Sequence, residues 1–268
     1  MELLSEAARN MGFALTPTHL RMFQVYYQEL IEWNQRFNLT AITEYKHAQI
    51  RHFLDSLTCL LAIGKSEGDR WSPGVPAPGT RVMDVGSGAG FPGLPLKMLH
   101  PYLDLTLLEA ARKKTDFLRH IVTRLDLKNV TVIHGRAEDL GQDEMHRESY
   151  DLVLARAVAD LTVLVEYLLP FCRLRGKCIA QKGSSAHEEL TAAQYAISLM
   201  GGEVHYVVPV ELPGLAEARH LVVINKVART SQKYPRRPGV PGKNPLNAPK
   251  SSPSIPSPAL TPSEHDPL

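Results

Sequence analysis

From residue 81 the chain settles into short β-rich runs separated by segments of helical length. The runs are 81–85 (RVMDV), 104–109 (DLTLLE), 130–134 (VTVIH), 150–155 (YDLVLA), 177–181 (KCIAQ), 203–208 (EVHYVV) and 220–227 (HLVVINKV). The clearest helical spacers are 112–125 and 185–200. Alternation of this kind buries both faces of a mostly parallel sheet under helices. The last two runs are joined by PVELPGLAEAR, which has no periodic segment long enough for a helix. They are therefore expected to pair antiparallel at one sheet edge. The prediction is an α/β fold on a seven-stranded sheet with its last strand antiparallel.

Residues 1–63 read as a helical extension ahead of that unit. Thr16 precedes Pro17, a capping residue followed by the residue best tolerated at a first helical position. Leu20, Phe23, Tyr27, Leu30 and Asn34 then recur on one helix face. A second helix is expected over 46–62. Its apolar face is Ile50, Phe53, Leu54, Leu57 and Leu61, with Arg51 and Asp55, and His52 and Ser56, four apart on its other side. The Gly/Pro-rich stretch 64–80 reads as a loop or linker before the main domain at 81–228. Residues 229–268 form a basic, Pro-rich tail predicted to be disordered, since it cannot bury enough apolar area to offset its ordering entropy.

The composition is that of a globular protein: 44% of the 268 residues are apolar, and a net charge of +2 does not by itself mark a nucleic-acid binder. Cys59, Cys172 and Cys178 lack C-x-x-C spacing, so they read as reduced core residues rather than metal ligands, and no metal site is expected. No apolar run reaches about 18 residues and the N-terminus carries acids, so the expectation is a cytoplasmic protein without a membrane span.

The first strand opens into VMDVGSGAGFPGLPL, residues 82–96, where a carboxylate precedes four closely spaced glycines. A triphosphate loop would need Gly-Lys-Ser/Thr, which does not follow Gly93. GAGFPG fits the dinucleotide fingerprint, with Glu109 at the distance of a ribose-binding acid. Against that reading, Asp84 puts a negative charge where a pyrophosphate would sit. A cationic, phosphate-free ligand suits the pattern better, and S-adenosylmethionine has both properties. Asp84 would face its amine, Glu109 its ribose hydroxyls, and Gly86 and Gly88 would let the backbone approach. Ala137 and Glu138 in GRAEDL would lie by the adenine. The three acids follow three successive strands, and ligands in open α/β sheets bind at those ends.

Several motifs carry a resemblance to a known family. They are NLTAI (38–42), IRHFLDSL (50–57), DVGSGAGFPGLPLK (84–97), KKTDFLRH (113–120), GRAED (135–139), LARAVADL (154–161), QKG (181–183) and RHLVVINK (219–226). In this order they resemble the bacterial small-subunit ribosomal RNA guanine-N7 methyltransferases, over roughly residues 20–228. The segment KYPRRPGVPGKNPL also resembles that family's C-terminal end. The resemblance implies a class I, Rossmann-like methyltransferase fold with S-adenosylmethionine as cofactor. It also implies a guanine in the decoding region of 16S ribosomal RNA as acceptor, free or within the small ribosomal subunit. It carries Gly86, Phe91, Ala137, Glu138 and Arg156 over as cofactor-binding positions.

Guanine N7 has a free lone pair, so the implied chemistry demands no general base. Arg156 and Lys182, at strand ends, are candidates for positioning the acceptor. Asn38, Arg51, His52, Lys182 and Arg219 are candidates for RNA contact. Simpler roles exist for some: Arg51 pairing with Asp55, His52 as a packing residue, Lys182 capping a helix. The competing functions are a nucleotide-dependent oxidoreductase and a non-catalytic RNA-binding protein on the same fold.

Overall fold

A computed structural model describes residues 1–67 and 70–249 of the chain. The main sheet contains β1 (Arg81–Val85), β2 (Asp104–Glu109), β3 (Val130–His134), β4 (Tyr150–Arg156), β5 (Cys172–Lys182), β6 (Gly202–Val210) and β7 (Arg219–Lys226). Their spatial order is β3-β2-β1-β4-β5-β7-β6. The first five strands are mutually parallel, while β7 runs antiparallel to both β5 and β6. This is the class I methyltransferase topology. β7 enters the sheet from the opposite end, so its first residue, Arg219, lies at the edge where β1 to β5 finish.

Helices α1 (Glu2–Asn10) and α2 (Pro17–Phe37) belong to the N-terminal layer. Thr16 caps α2 by accepting from His19 N, and His19 Nδ1 accepts in return from Thr16 N. The buried face of α2 is Phe23, Tyr26 and Leu30, so Tyr26 replaces the expected Tyr27 in the core. Tyr27 is only half-buried and donates its hydroxyl to Thr43 O.

The segment 45–63, α3, is a continuous helix that passes from α through a π stretch (Gln49–Leu54) to a 3-10 end (Thr58–Ile63). Its predicted apolar face is buried, but His52, Asp55 and Ser56 on the other side are buried as well. The helix is enclosed on both sides because it also packs against the ends of β4 and β5. Within 64–80, read as loop, Lys65–Glu67 and Arg70–Ser72 pair as a small antiparallel ribbon.

The remaining helices are α4 (Gly93–Leu99), α5 (Arg112–Arg124), α6 (Ala137–Leu140), α7 (Leu161–Leu168), α8 (Ala186–Leu199) and α9 (Val240–Lys243). Two apolar cores flank the sheet, one continuous with the N-terminal helices and one under α7 and α8. All three cysteines are buried and free. No helix among the described residues is long and apolar enough to cross a membrane.

The predicted disorder of the tail is corrected over residues 229–249. This strap folds back onto the domain, with Tyr234 7% exposed in the second core. Arg147 donates to Thr230 O, Ser231 O and Tyr234 O, and Gln142 Nε2 donates to Pro235 O. The strap is ordered by hydrogen bonds to its backbone rather than by apolar area, which is why composition misjudged it. The rest of the predicted tail, 250–268, lies outside the described residues.

Candidate functional site

The site is built where strands end. β1 finishes at Val85, and the chain turns through Gly86–Pro92 into α4. Gly86 N and Ser87 N both donate to Leu108 O of β2, at 2.8 and 3.1 Å, which pulls the turn across the neighbouring strand. Gly88 has φ +59, and a Cβ there would meet nothing but Gly86 O at 3.9 Å. The turn thus bends where a side chain would be strained and leaves open space beside its backbone. At Gly86, φ +70, a Cβ would come within 2.7 Å of Val158 Cγ2 from the loop after β4.

Asp84, the penultimate residue of β1, is fully buried. Its Oδ2 accepts from Gly93 N at 2.8 Å, at the start of α4, while its Oδ1 is buried without a hydrogen-bond partner. Burial pushes its carboxyl up to about 7, against the opposing pull of the Gly93 amide and Arg156. A buried acceptor with no donor is unfavourable by about 1–3 kcal/mol. The arrangement is therefore short of one donor, and a cationic one would also stabilise the ionised form.

Glu109 ends β2, 8% exposed. Its Oε2 accepts from Gly88 N at 2.9 Å and its Oε1 from Ala111 N at 2.8 Å. Each oxygen keeps a second lone pair, so the group fixes the glycine turn and still has acceptor capacity. β3 is tied in through Gly135 N, which donates to Glu109 O at 3.0 Å. Glu138 follows in α6, buried, with Oε1 accepting from Gly239 N of the strap at 3.0 Å. Ala137 beside it is half-buried. Asp84, Gly86, Gly88, Glu109, Ala137 and Glu138 thus share one edge across three adjacent strands.

Phe91 is different from its neighbours in the turn. Its ring is sandwiched between Tyr26 (5.3 Å, 13°) and His52 (4.5 Å, 10°), with the Arg156 guanidinium 5.0 Å from its centroid. Only its backbone is available to a ligand. Tyr26, which sequence reasoning did not single out, donates its hydroxyl to Ala89 O at 2.5 Å and so holds the turn from the helical layer.

The second half of the site lies at the ends of β4, β5 and β7, around a cavity of about 730 Å³. Arg156, Val158, Tyr167, Lys182, Arg219 and Gly242 are among its walls, whereas the glycine turn and its three acids are not. Val158 is the link, lining the cavity and lying against Gly86.

Arg156 is not a free cation. Its Nη1 donates to Asp55 Oδ2 at 2.9 Å and to Arg51 O at 3.1 Å, and Asp55 is 5% exposed. Gln181 Nε2 donates to Asp55 O at 2.7 Å, locking the same helix to β5. Lys182 Nζ is held by Ala159 O and Glu189 Oε2, both at 2.6 Å, so it anchors the loop after β4 to α8.

The RNA-contact candidates separate. His52 is withdrawn from that role: it is buried against Phe91, shares a 2.9 Å hydrogen bond with Thr40 Oγ1, and is held neutral by burial, its pKa lowered to about 3. Asn38 is exposed and takes the left-handed C-cap of α2, a structural reason for asparagine. Arg51 pairs with Glu217 at 3.5 Å, not with Asp55, and Arg219 meets the same carboxylate at 3.2 Å. The Nε of each of these arginines is buried without a partner.

Among the described residues, no group of three or more His, Cys, Asp or Glu side chains could hold a metal ion. The strap contacts were also missed, although Glu166 alone in the apolar run LTVLVEYL was a visible signal that a cation had to reach it.

The fold and the turn define a class I S-adenosylmethionine-dependent methyltransferase. A family profile described as GidB, rRNA small subunit methyltransferase G, matches residues 19–222. A Ribosomal RNA small subunit methyltransferase G of Roseiflexus castenholzii is 49% identical over 92% of this chain and all of its own. A protein of the same name from Dehalococcoides mccartyi is 49% identical over 88% of this chain and 95% of its own. Another from Pelotomaculum thermopropionicum is 46% identical over 91% and 98%. The chain belongs to the rRNA small subunit methyltransferase G family.

Proposed function

We propose that this protein methylates N7 of a guanine in 16S ribosomal RNA, with S-adenosylmethionine as donor. The observation that carries the cofactor reading is the buried, unpartnered Oδ1 of Asp84 beside an open glycine turn. A pyrophosphate would be repelled there, while an ammonium supplies the missing donor. Family membership over nearly the whole length of the relatives supports the acceptor.

When bound, S-adenosylmethionine supplies a methyl group activated by a sulfonium. Asp84 would accept from its amine and Glu109 from its ribose hydroxyls, with Ala137 and Glu138 toward its adenine. Gly86, Gly88 and the Phe91 backbone form the turn over which it would rest. The cavity beyond Val158 receives the guanine, whose N7 lone pair needs no deprotonation. The protein's task is positional, and orientation of this kind contributes up to roughly 7–11 kcal/mol. Arg156, fixed through Asp55, and Lys182, fixed through Glu189, act as rigid walls of that cavity. Arg219, in the cavity wall, and Arg51 and Asn38, outside it, remain the RNA-contact candidates. On this reading the protein works on the small ribosomal subunit, in the cytoplasm.

The test is transfer of radiolabelled methyl groups to small subunits, and to their extracted RNA, from a strain that lacks the modification. Label recovered as 7-methylguanine in 16S RNA is the expected result. Cofactor binding without any incorporation would sink the proposal.

A further inference from the structure

The strap is chemically lopsided. Between Glu217 and Glu264 the sequence has no acidic residue, yet residues 229–243 carry Arg229, Lys233, Arg236, Arg237 and Lys243. These cations divide by environment. Arg236 is an internal anchor: its backbone N and Nε reach Glu166 Oε1 at 2.7 and 2.9 Å, and its Nη2 reaches Oε2 at 2.7 Å. Glu166 itself is fully buried in α7. Arg229 pairs with Glu148 at 3.6 Å, and Lys233 lies 5.1 Å from the Tyr234 ring centroid. Arg237 and Lys243 are exposed and have no acidic partner among the described residues.

The anchoring fixes where those two free charges stand. Gly239, two residues beyond Arg237, donates to Glu138 at the cofactor edge. Gly242, the neighbour of Lys243, lines the cavity that we assign to the acceptor base. Two unpaired cations are thus carried by a segment that reaches the cavity at Gly242 and whose own backbone is pinned at Arg147, Gln142, Glu166 and Glu138. A guanine presented to that cavity brings its flanking phosphates to the cavity's rim. Pre-positioned cations bind phosphate with less loss of conformational freedom than mobile ones.

We propose that the C-terminal strap is an RNA-binding arm, in which Arg237 and Lys243 contact backbone phosphates flanking the target guanine. The proposal rests on the RNA methyltransferase reading above and names the part of the surface that holds its substrate. Arg236 has the separate role of positioning the arm.

The test compares the full-length protein with Arg237→Gln/Lys243→Gln, measuring affinity for unmethylated small subunits as a function of salt. Loss of two phosphate contacts lowers the salt slope, d log K/d log [salt], by about 1.4 in magnitude, about 0.7 per contact on single-stranded RNA. Affinity for S-adenosylhomocysteine and the midpoint of thermal unfolding should stay at wild-type values, and KM for subunits should rise. An unchanged salt slope would overturn the proposal. So would a loss of affinity with the slope preserved, which would point to a ribosomal protein as the contact. If the wild-type protein modifies neither subunits nor their RNA, the parent reading fails first, an outcome distinct from failure of the arm alone.

Discussion

The two halves of the site are built by opposite means. On the cofactor side, at the ends of β1 to β3, carboxylates accept from backbone amides: Asp84 from Gly93, Glu109 from Ala111 and Gly88, and Glu138 from Gly239. On the acceptor side, side-chain ion pairs hold the walls: Arg156 with Asp55, Lys182 with Glu189, and Arg236 with Glu166. The first half shapes a turn and leaves one buried oxygen in want of a donor. The second fixes walls around open space. A site that must bind the same cofactor each time gains from geometry fixed by the main chain, while a cavity for a base within a large RNA needs charges that are held but not all neutralised.

The contrast can be broken most sharply at Arg156. As a residue that only positions the acceptor, Arg156 could be replaced by alanine with loss of methylation and no loss of folding. The structure revises this, because the change strands Asp55 as a buried, unpaired carboxylate. Breaking such a pair costs roughly 3–5 kcal/mol, so urea denaturation should show a large loss of stability alongside lost activity. Stability within about 1 kcal/mol of wild type would mean the pair is dispensable.

Asp84→Asn should act in the other direction. The folded carboxyl titrates at about 7, above its ordinary value of 3.8, so the native state holds its proton where the unfolded chain has lost it. Ionisation of Asp84 therefore costs nothing below pH 4, and its cost grows up to about pH 7 and is complete above that. The asparagine variant should gain up to about 4 kcal/mol at pH 8, because a tenfold change in a protonation equilibrium is worth about 1.36 kcal/mol. The difference should close toward pH 4. A gap that widened on acidification would contradict the assignment.

Smaller effects refine the same comparison. Glu109→Ala should weaken cofactor binding by roughly 1.5–3 kcal/mol, the range for hydrogen bonds to charged groups, read by calorimetric titration. Unchanged affinity would remove the ribose role and leave Glu109 as a staple of the turn. Tyr26→Phe deletes the hydroxyl that donates to Ala89 O and should cost about 1 kcal/mol of stability. If the loss of cofactor affinity is larger than the loss of stability, the helical layer holds the turn in its binding shape.

The same division explains what was legible in the sequence. The alternating runs from 81 to 227 predicted the strands closely, because period and turn residues are local signals. The acids Asp84, Glu109 and Glu138 were readable for the same reason, each lying just past or within a recognisable strand end. What stayed hidden depends on long-range pairing. His52 looked like a surface candidate because periodicity put it opposite the apolar face, and nothing local shows that β4 and β5 enclose that face too. Arg156 looked free because its partner lies about a hundred residues away in sequence, in α3. The strap read as disordered because its apolar content is low, whereas its order comes from Arg147, Gln142 and Glu166 reaching its backbone and Arg236.

The central claim, that the Asp84 carboxylate holds a cationic cofactor, is tested most directly by calorimetric titration of S-adenosylmethionine into wild-type and Asp84→Asn protein from pH 5.5 to 8.5. The predicted result is that the wild type binds more tightly than the variant at pH 8, and that this advantage shrinks as the pH falls below about 7 and Asp84 takes up its proton. Equal affinities across the whole range, or an advantage that grows toward low pH, would contradict it.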